Sequence, residues 1–147
     1  MEIERKFLIS EPPENLESCP HHLIEQGYLS TEPVVRIRRQ DEDYILTYKG
    51  AGLMAHEEYN LPLTQYAYEH LKTKIDGRLI SKIRYEIPYT DGLTIELDHF
   101  FSPNTGLYLA EVEFPSVEAA NSFSAPAWFT KDVTEDPAYH NSFMSKH

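Results

Sequence analysis

Charged side chains of one sign recur two residues apart in five separate segments of this chain. Glu2 and Glu4 flank Ile3, Arg36 and Arg38 flank Ile37, and Lys82 and Arg84 flank Ile83. Glu96 and Asp98 flank Leu97, and Glu111 and Glu113 flank Val112. A period of two is that of a β-strand, in which successive side chains point to opposite faces. Residues two apart then share a face at roughly 6–7 Å. Two carboxylates held at that distance repel unless a cation lies between them, and two basic groups need an anion. A surface carrying both kinds of pair suits a metal–polyanion complex. The carboxylate oxygens suit Mg²⁺ or Mn²⁺, and the Lys and Arg donors suit phosphate oxygens. A second reading stays open on pattern alone. Any solvated sheet face carries charges at alternate positions, with cross-strand ion pairs contributing a few tenths of a kcal/mol each. Such a face normally mixes in Thr, Ser and Gln and alternates its signs.

The same period runs through residues 2–9, 34–40, 43–49, 56–63, 79–89, 93–101 and 107–114, with a shorter piece at Gly27–Thr31 as an eighth strand. Arg39–Asp43 and Tyr89–Leu93 read as hairpin connections. Helical signal is modest. Thr64–Lys74 opens on a capping Thr64, and Ser116–Phe123 opens on Ser116 with Glu118 near its start. The last fifteen residues have little pattern, with Pro137 as a breaker and a short helix expected from Ala138. Many short strands, few helices and tight turns predict an antiparallel barrel or sandwich. In each strand the apolar positions oppose the charged ones, with Arg5 as the exception in the first. Thr47 and Lys49 share the polar face of residues 43–49, and Glu58 is the better candidate of the adjacent pair Glu57 and Glu58.

The chain has 147 residues, the length of one domain, so residues 1–147 are expected to fold as a single unit. The formal net charge is -11. That balance argues against general nucleic-acid binding, which needs a basic surface, and against docking on anionic lipid. No apolar run approaches the ~20 residues of a membrane span, and the charged N-terminus does not resemble a signal peptide. The single cysteine, Cys19, excludes an intrachain disulfide and predicts a reduced, cytoplasmic setting. Cys19 is read as structural. The seven histidines show no metal-ligand spacing, and His99 is expected on the outer face. Ser30 and Ser81 lack the partners of a nucleophile.

The motifs resemble those of one family. Glu2-Ile3-Glu4-Arg5-Lys6 is similar to the N-terminal Glu-x-Glu-x-Lys signature of the CYTH superfamily, the triphosphate tunnel metalloenzymes. The likeness continues in order through Gln26-Gly27-Tyr28-Leu29-Ser30, Arg36-Ile37-Arg38, Thr47-Tyr48-Lys49, Glu57-Glu58-Tyr59 and Lys82-Ile83-Arg84. It ends with Ile95-Glu96-Leu97-Asp98, Leu109–Phe114 and Asp132–Asp136, so it spans nearly the whole chain. The chain most resembles the short bacterial members, the inorganic tripolyphosphatases.

The resemblance implies a mainly β fold: a closed eight-stranded antiparallel barrel with a polar tunnel, the apolar faces turned outward beneath a few flanking helices. It implies divalent-metal-dependent hydrolysis of a triphosphate. By match to the motifs, Lys6, Tyr28, Arg36, Arg38, Lys49, Lys82 and Arg84 bind substrate. Glu2, Glu4, Glu111 and Glu113 hold metal, with two Mg²⁺ or Mn²⁺ ions expected. Glu4, Lys82 and Arg84 are the expected catalytic residues. Glu58, Glu96 and Asp98 are further tunnel acids whose roles stay open between metal ligand, water positioning and orienting the bases. Lys131 is read as surface. The compact chain has no evident nucleoside-binding insertion, which favours inorganic tripolyphosphate. Nucleoside or thiamine triphosphate hydrolysis, adenylyl cyclase activity of the class IV type, and non-catalytic polyphosphate binding are the alternatives. A small-molecule triphosphate is the expected partner, with no nucleic acid and no membrane, and relatives of this kind are often homodimers.

Overall fold

Alternating patterns become strands wherever each can bury one face. The computed structural model describes residues 1–52 and 54–146. Its strands are β1 Glu2–Ile9, β2 His21–Thr31, β3 Val34–Gln40, β4 Asp43–Lys49, β5 Ala55–His56, β6 Glu58–Pro62, β7 Asp76–Pro88, β8 Thr94–Ser102, β9 Tyr108–Glu113 and β10 Phe129–Asp132. Among the described residues two short α-helices join strands, α1 Gln65–Lys72 and α2 Val117–Asn121, and a third, α3 Asn141–Met144, follows the last strand. Thr64 and Ser116 cap the first two as expected, accepting from the amides of Ala67 and Ala119. Such caps satisfy amides that a helix start leaves unpaired. The Tyr89–Leu93 connection turns tightly because Asp91 and Gly92 take left-handed conformations, φ 60° and 71°, which Gly and Asp tolerate best.

The expectation of a closed eight-stranded barrel is corrected. Nine strands follow one hydrogen-bonded path, β10-β1-β9-β8-β7-β2-β3-β4-β6, and the pairs along it are antiparallel. Its ends, β10 and β6, do not pair among the described residues, and only the two-residue β5 reaches β1 across the seam. Expected as one strand, residues 56–63 break at Glu57. The part before it pairs with β1 and the part after it with β4. Neither half carries a ladder to both neighbours, so the sheet curls almost shut and leaves the seam unsealed. Two further differences follow from coverage. β2 starts at His21, well before Gly27, and its early residues lack a clean period because Ile24 is buried while Leu23 is exposed. β10, with no period at all, forms because β1 offers it an edge.

Apolar residues pack in two places. Outside the sheet, Ile95, Leu97, Ala110, Val112 and Phe114 lie beneath Ala120 of α2 and the aromatic run Phe123, Trp128 and Phe129. Arg5, on this outer side, donates to the Ala120 carbonyl at 2.9 Å and pairs with Asp132 at 2.7 Å. His99 is also outside, stacked on Tyr108 at 4.3 Å. The second cluster occupies the inner face. Ile80, Phe100, Leu109 and Leu8 share their strand faces with the charged pairs, yet they pack on Tyr28, Val133, Met144 and Tyr139. The inner face is therefore polar along part of its length and apolar at one end, where the C-terminal segment fills it. Burying such side chains stabilises by about 1.5–3 kcal/mol each. That segment docks closely. The Arg78 amide donates to Ser145 O at 2.8 Å, and a Cβ on Gly77 would stand 2.5 Å from the same oxygen.

A candidate triphosphate and metal site inside the sheet

The polar stretch of the inner face encloses a cavity of about 830 Å³. β1 contributes Glu2, Glu4 and Lys6; β2 and β3 contribute Tyr28, Arg36 and Arg38; β4 and β6 contribute Lys49 and Glu58. Arg84, Glu96 and Glu111 complete the wall from β7, β8 and β9. Register explains the gathering. Glu4 stands opposite Glu113, Lys6 opposite Glu111, Arg84 opposite Asp98 and Glu96 opposite Glu111. Tyr28 stands opposite Arg36, and Lys49 opposite Glu58. Three of the expected site residues do not line the cavity. Lys82 and Asp98 lie fully buried behind the wall, at 0% and 1% exposure, and Glu113 is exposed.

Acids and bases divide into two groups. In the first, charges neutralise one another. Arg84 makes a two-pronged contact with Asp98, at 2.7 and 2.9 Å, and reaches Glu96 at 3.2 Å and Glu111 at 3.5 Å. Lys82 Nζ contacts Asp98 Oδ2 at 2.7 Å, and Lys6 Nζ contacts Glu111 Oε1 at 3.2 Å. Burial pushes the Asp98 and Glu111 carboxyls up, and the neighbouring cations outweigh it, so both end below the ordinary range. For Lys82, burial dominates over the attraction of Asp98, with Arg84 and Arg38 adding repulsion, and its ammonium is lowered to about 7. Burial, with Arg36 and Arg84 nearby, lowers Arg38 to about 9.

The second group has excess negative charge. Burial first, then the charges of Glu111 and Glu2, raise the Glu4 carboxyl to about 7. Burial and contact with Glu2 raise Glu58. Burial and the charges of Glu2 and Glu96 raise Glu113. Carboxylates crowded this way favour a divalent cation among them. Glu2, His56 and Glu58 place one ligand atom each within 4.8 Å of one another. These residues can coordinate a divalent metal, and their oxygen-rich donor set fits a hard ion. Glu2 Oε1 is shared by His56 Nε2 and by Lys49 Nζ, the latter at 2.9 Å. Burial opposes ionisation of Glu2, and hydrogen bonds from His56, Glu58 and Lys49 overcome it, holding its carboxyl well below the usual range.

The expectation that no histidine has metal-ligand spacing is corrected at His56, whose ring nitrogen lies with the Glu2 and Glu58 carboxylates. Its separation of two from Glu58 was the available signal, since within the single strand expected over 56–63 that spacing shares a face. Beside it, Thr47 and Asn60 form an unanticipated link. Arg36 donates to Thr47 Oγ1 at 3.2 Å, Thr47 donates to Asn60 Oδ1 at 2.6 Å, and Asn60 donates to Glu58 at 3.2 Å. Arg36 Nε is buried and has no hydrogen-bond partner among the described residues. Asn141, His140 and Lys146, from the unpatterned C-terminus, also border the cavity. No motif marked them.

Comparison with known proteins agrees with this architecture. The CYTH domain family profile matches residues 1–135. A protein of Nitrosomonas europaea named inorganic triphosphatase is 38% identical over 148 residues, covering 98% of this chain and 96% of that protein. An inorganic triphosphatase of Acetivibrio thermocellus is 35% identical over 150 residues, covering 99% of this chain and 93% of its own length. A crystal structure of an inorganic triphosphatase superposes with a TM-score of 0.74 at 35% identity, over 100% of this chain and 95% of that one. With the profile spanning most of its length and relatives matched almost end to end, the chain belongs to the CYTH domain family.

Proposed function

We propose that this chain is a divalent-metal-dependent triphosphatase that cleaves inorganic triphosphate, with water, to pyrophosphate and orthophosphate. One observation carries the reading: the same cavity holds basic groups short of an anion and acids short of a cation. Arg36 Nε is buried without a partner among the described residues, and burial together with the neighbouring carboxylates of Glu111 and Glu2 raises Glu4 to a pKa of about 7. A metal-bound polyphosphate satisfies both. The curated relatives matched over nearly their full lengths carry the name inorganic triphosphatase.

In this reading Arg36, Arg38, Lys49, Lys6 and Arg84 take the phosphate oxygens, with Tyr28 closing the wall beside Arg36. Charged donors fixed in a cavity stabilise the charge that spreads over the transferred phosphoryl group. Arg84 is already oriented by Asp98, Glu96 and Glu111, so it needs no reorganisation on binding. Lys82 acts from behind the wall. Glu2, Glu4, Glu111 and Glu113 remain the proposed metal acids, joined by Glu58 and His56, and two Mg²⁺ or Mn²⁺ ions are proposed. Metal bound there supplies Lewis acidity and a water of lowered pKa. Glu111 has a second duty, because Lys6 and Arg84 already engage it. A cytoplasmic setting and a homodimer belong to the same proposal. Cys19 is a free thiol, and exposed Tyr48, Tyr59 and Leu61 on the outer face of β4 and β6 offer a surface for a second copy. None of the described helices is long and apolar enough to cross a membrane.

The test is phosphate release from tripolyphosphate, ATP and thiamine triphosphate with Mg²⁺ or Mn²⁺, with and without EDTA, and chromatography for cyclic AMP. Release from tripolyphosphate that EDTA abolishes supports the proposal. Cyclic AMP formation, or tight binding without turnover, replaces it with the cyclase or the binding-module reading.

A further inference from the structure

We propose that Asn141 is a positioning residue for the cations of this site, its side-chain oxygen tying Lys82 to Gln26 and, through the Gln26 amide, to Arg38. The inference deepens the triphosphatase reading and rests on it for the ligand. Asn141 opens the one-turn helix α3, in the C-terminal segment beyond residue 135, where the family profile ends. Its Oδ1 accepts from Lys82 Nζ at 3.2 Å and from Gln26 Nε2 at 3.1 Å. Gln26 Oε1 in turn accepts from Arg38 Nε at 2.9 Å. The chain Lys82–Asn141–Gln26–Arg38 thus spans β7, the C-terminal segment, β2 and β3.

Three features make this more than a surface contact. Lys82 and Gln26 are both at 0% exposure, so neither can turn to water if Asn141 is lost. Asn141 and Arg38 border the cavity while Lys82 does not, which puts the amide between the hidden ammonium and the space for substrate. Asp98, on the other side of Lys82, fixes only one of its hydrogens, and an ammonium has three donors. The remaining charged groups acting on Lys82 are Arg84, Arg38 and Glu111. The hydrophobic packing of Met144 and Tyr139 in the inner cluster holds α3 in place. That is the support a positioning group requires.

The test uses the full chain with Asn141→Leu, Gln26→Leu and the double variant. Asn141→Ala stands in if Leu impairs folding, judged by thermal melting. Calorimetry with inorganic triphosphate in EDTA reads affinity without turnover. Each single change is expected to weaken binding about tenfold, the scale of one hydrogen bond to a charged group. The double variant is expected to be no weaker than the poorer single, because Asn141 and Gln26 act in series in one hydrogen-bonded chain. In steady state the loss falls mainly on KM. Native affinity in the Asn141 variants, or losses that multiply in the double, overturns the proposal. A second readout needs no ligand: the Lys82 ammonium resonance of ¹⁵N-lysine-labelled protein shifts in the Asn141 variants, and an unmoved resonance also overturns it. If the wild type fails to bind triphosphate while that resonance moves, the ligand assignment falls and the positioning of Lys82 by Asn141 stands.

Discussion

Lys82 Nζ lies 2.7 Å from Asp98 Oδ2, with neither side chain reaching solvent. The pair sits behind the cavity wall, and Asp98 also grips Arg84 with both oxygens. One carboxylate therefore bridges two cations from one strand. Removing it leaves the buried Lys82 without its carboxylate and Arg84 with only Glu96 and Glu111, and breaking a buried pair from one side is costlier than removing the whole pair. Asp98→Ala is expected to destabilise the fold by about 3–5 kcal/mol, read by urea denaturation, and to lower activity by freeing Arg84. A loss below 1 kcal/mol would show that Asp98 does not hold these cations in the fold.

Acid should weaken the fold through the same network. Asp98 and Glu111 have native pKa values depressed below 3.8 and 4.5. The unfolded chain therefore takes up protons at higher pH than the native one, and the stabilisation present above pH 4.5 disappears as pH falls through the native values. Denaturation midpoints measured from pH 7 to pH 3 should drop most steeply below about 4.5. Glu111→Gln should flatten that drop.

Glu4 has the opposite sign. Its carboxyl is raised to about 7, so below that pH it is protonated in the folded protein and competes with metal for its own oxygen. Mn²⁺ affinity measured by calorimetry should fall towards tenfold per pH unit below 7 and release a proton on binding. Glu4→Gln should weaken Mn²⁺ binding and remove this part of the pH dependence. A pH-independent affinity in the wild type would take Glu4 out of the metal set.

Arg38 is half-buried beside Arg36 and held by Gln26. Replacing it with Ala removes a charged donor proposed for phosphate but leaves the Arg84 cluster intact. KM for tripolyphosphate should rise tenfold or more, the scale of a charge-assisted hydrogen bond, with a smaller change in kcat. Arg38→Lys should recover only part of the loss, because an ammonium lacks the planar fork. Unchanged kinetics in Arg38→Ala would remove it from the site.

Much of the site was legible in the sequence because strand parity is a local rule. Glu2, Glu4 and Lys6 fall on one face whatever surrounds them, and so do Arg36 with Arg38 and Glu96 with Asp98. The capping residues Thr64 and Ser116 were readable for the same reason, since a helix start is settled within four residues. What parity does not encode is depth along the inner face. Lys82 and Arg84 look equivalent in sequence, yet one is sealed behind the wall and the other borders the cavity.

By itself the sequence determined which side chains share a face, where the turns lie and that charge of both signs collects on one surface. These depend on backbone geometry over two to four residues. Only the tertiary structure decided that β5 and β6 part at Glu57 and leave a seam, that an apolar C-terminal segment fills one end of the inner face, and that His56 and Asn141 join the charged residues. Those outcomes depend on packing between residues 50 to 140 positions apart in the chain, such as Glu2 with His56 and Lys6 with Tyr139. Contacts of that range are fixed by the burial of the whole sheet, and no local period carries them.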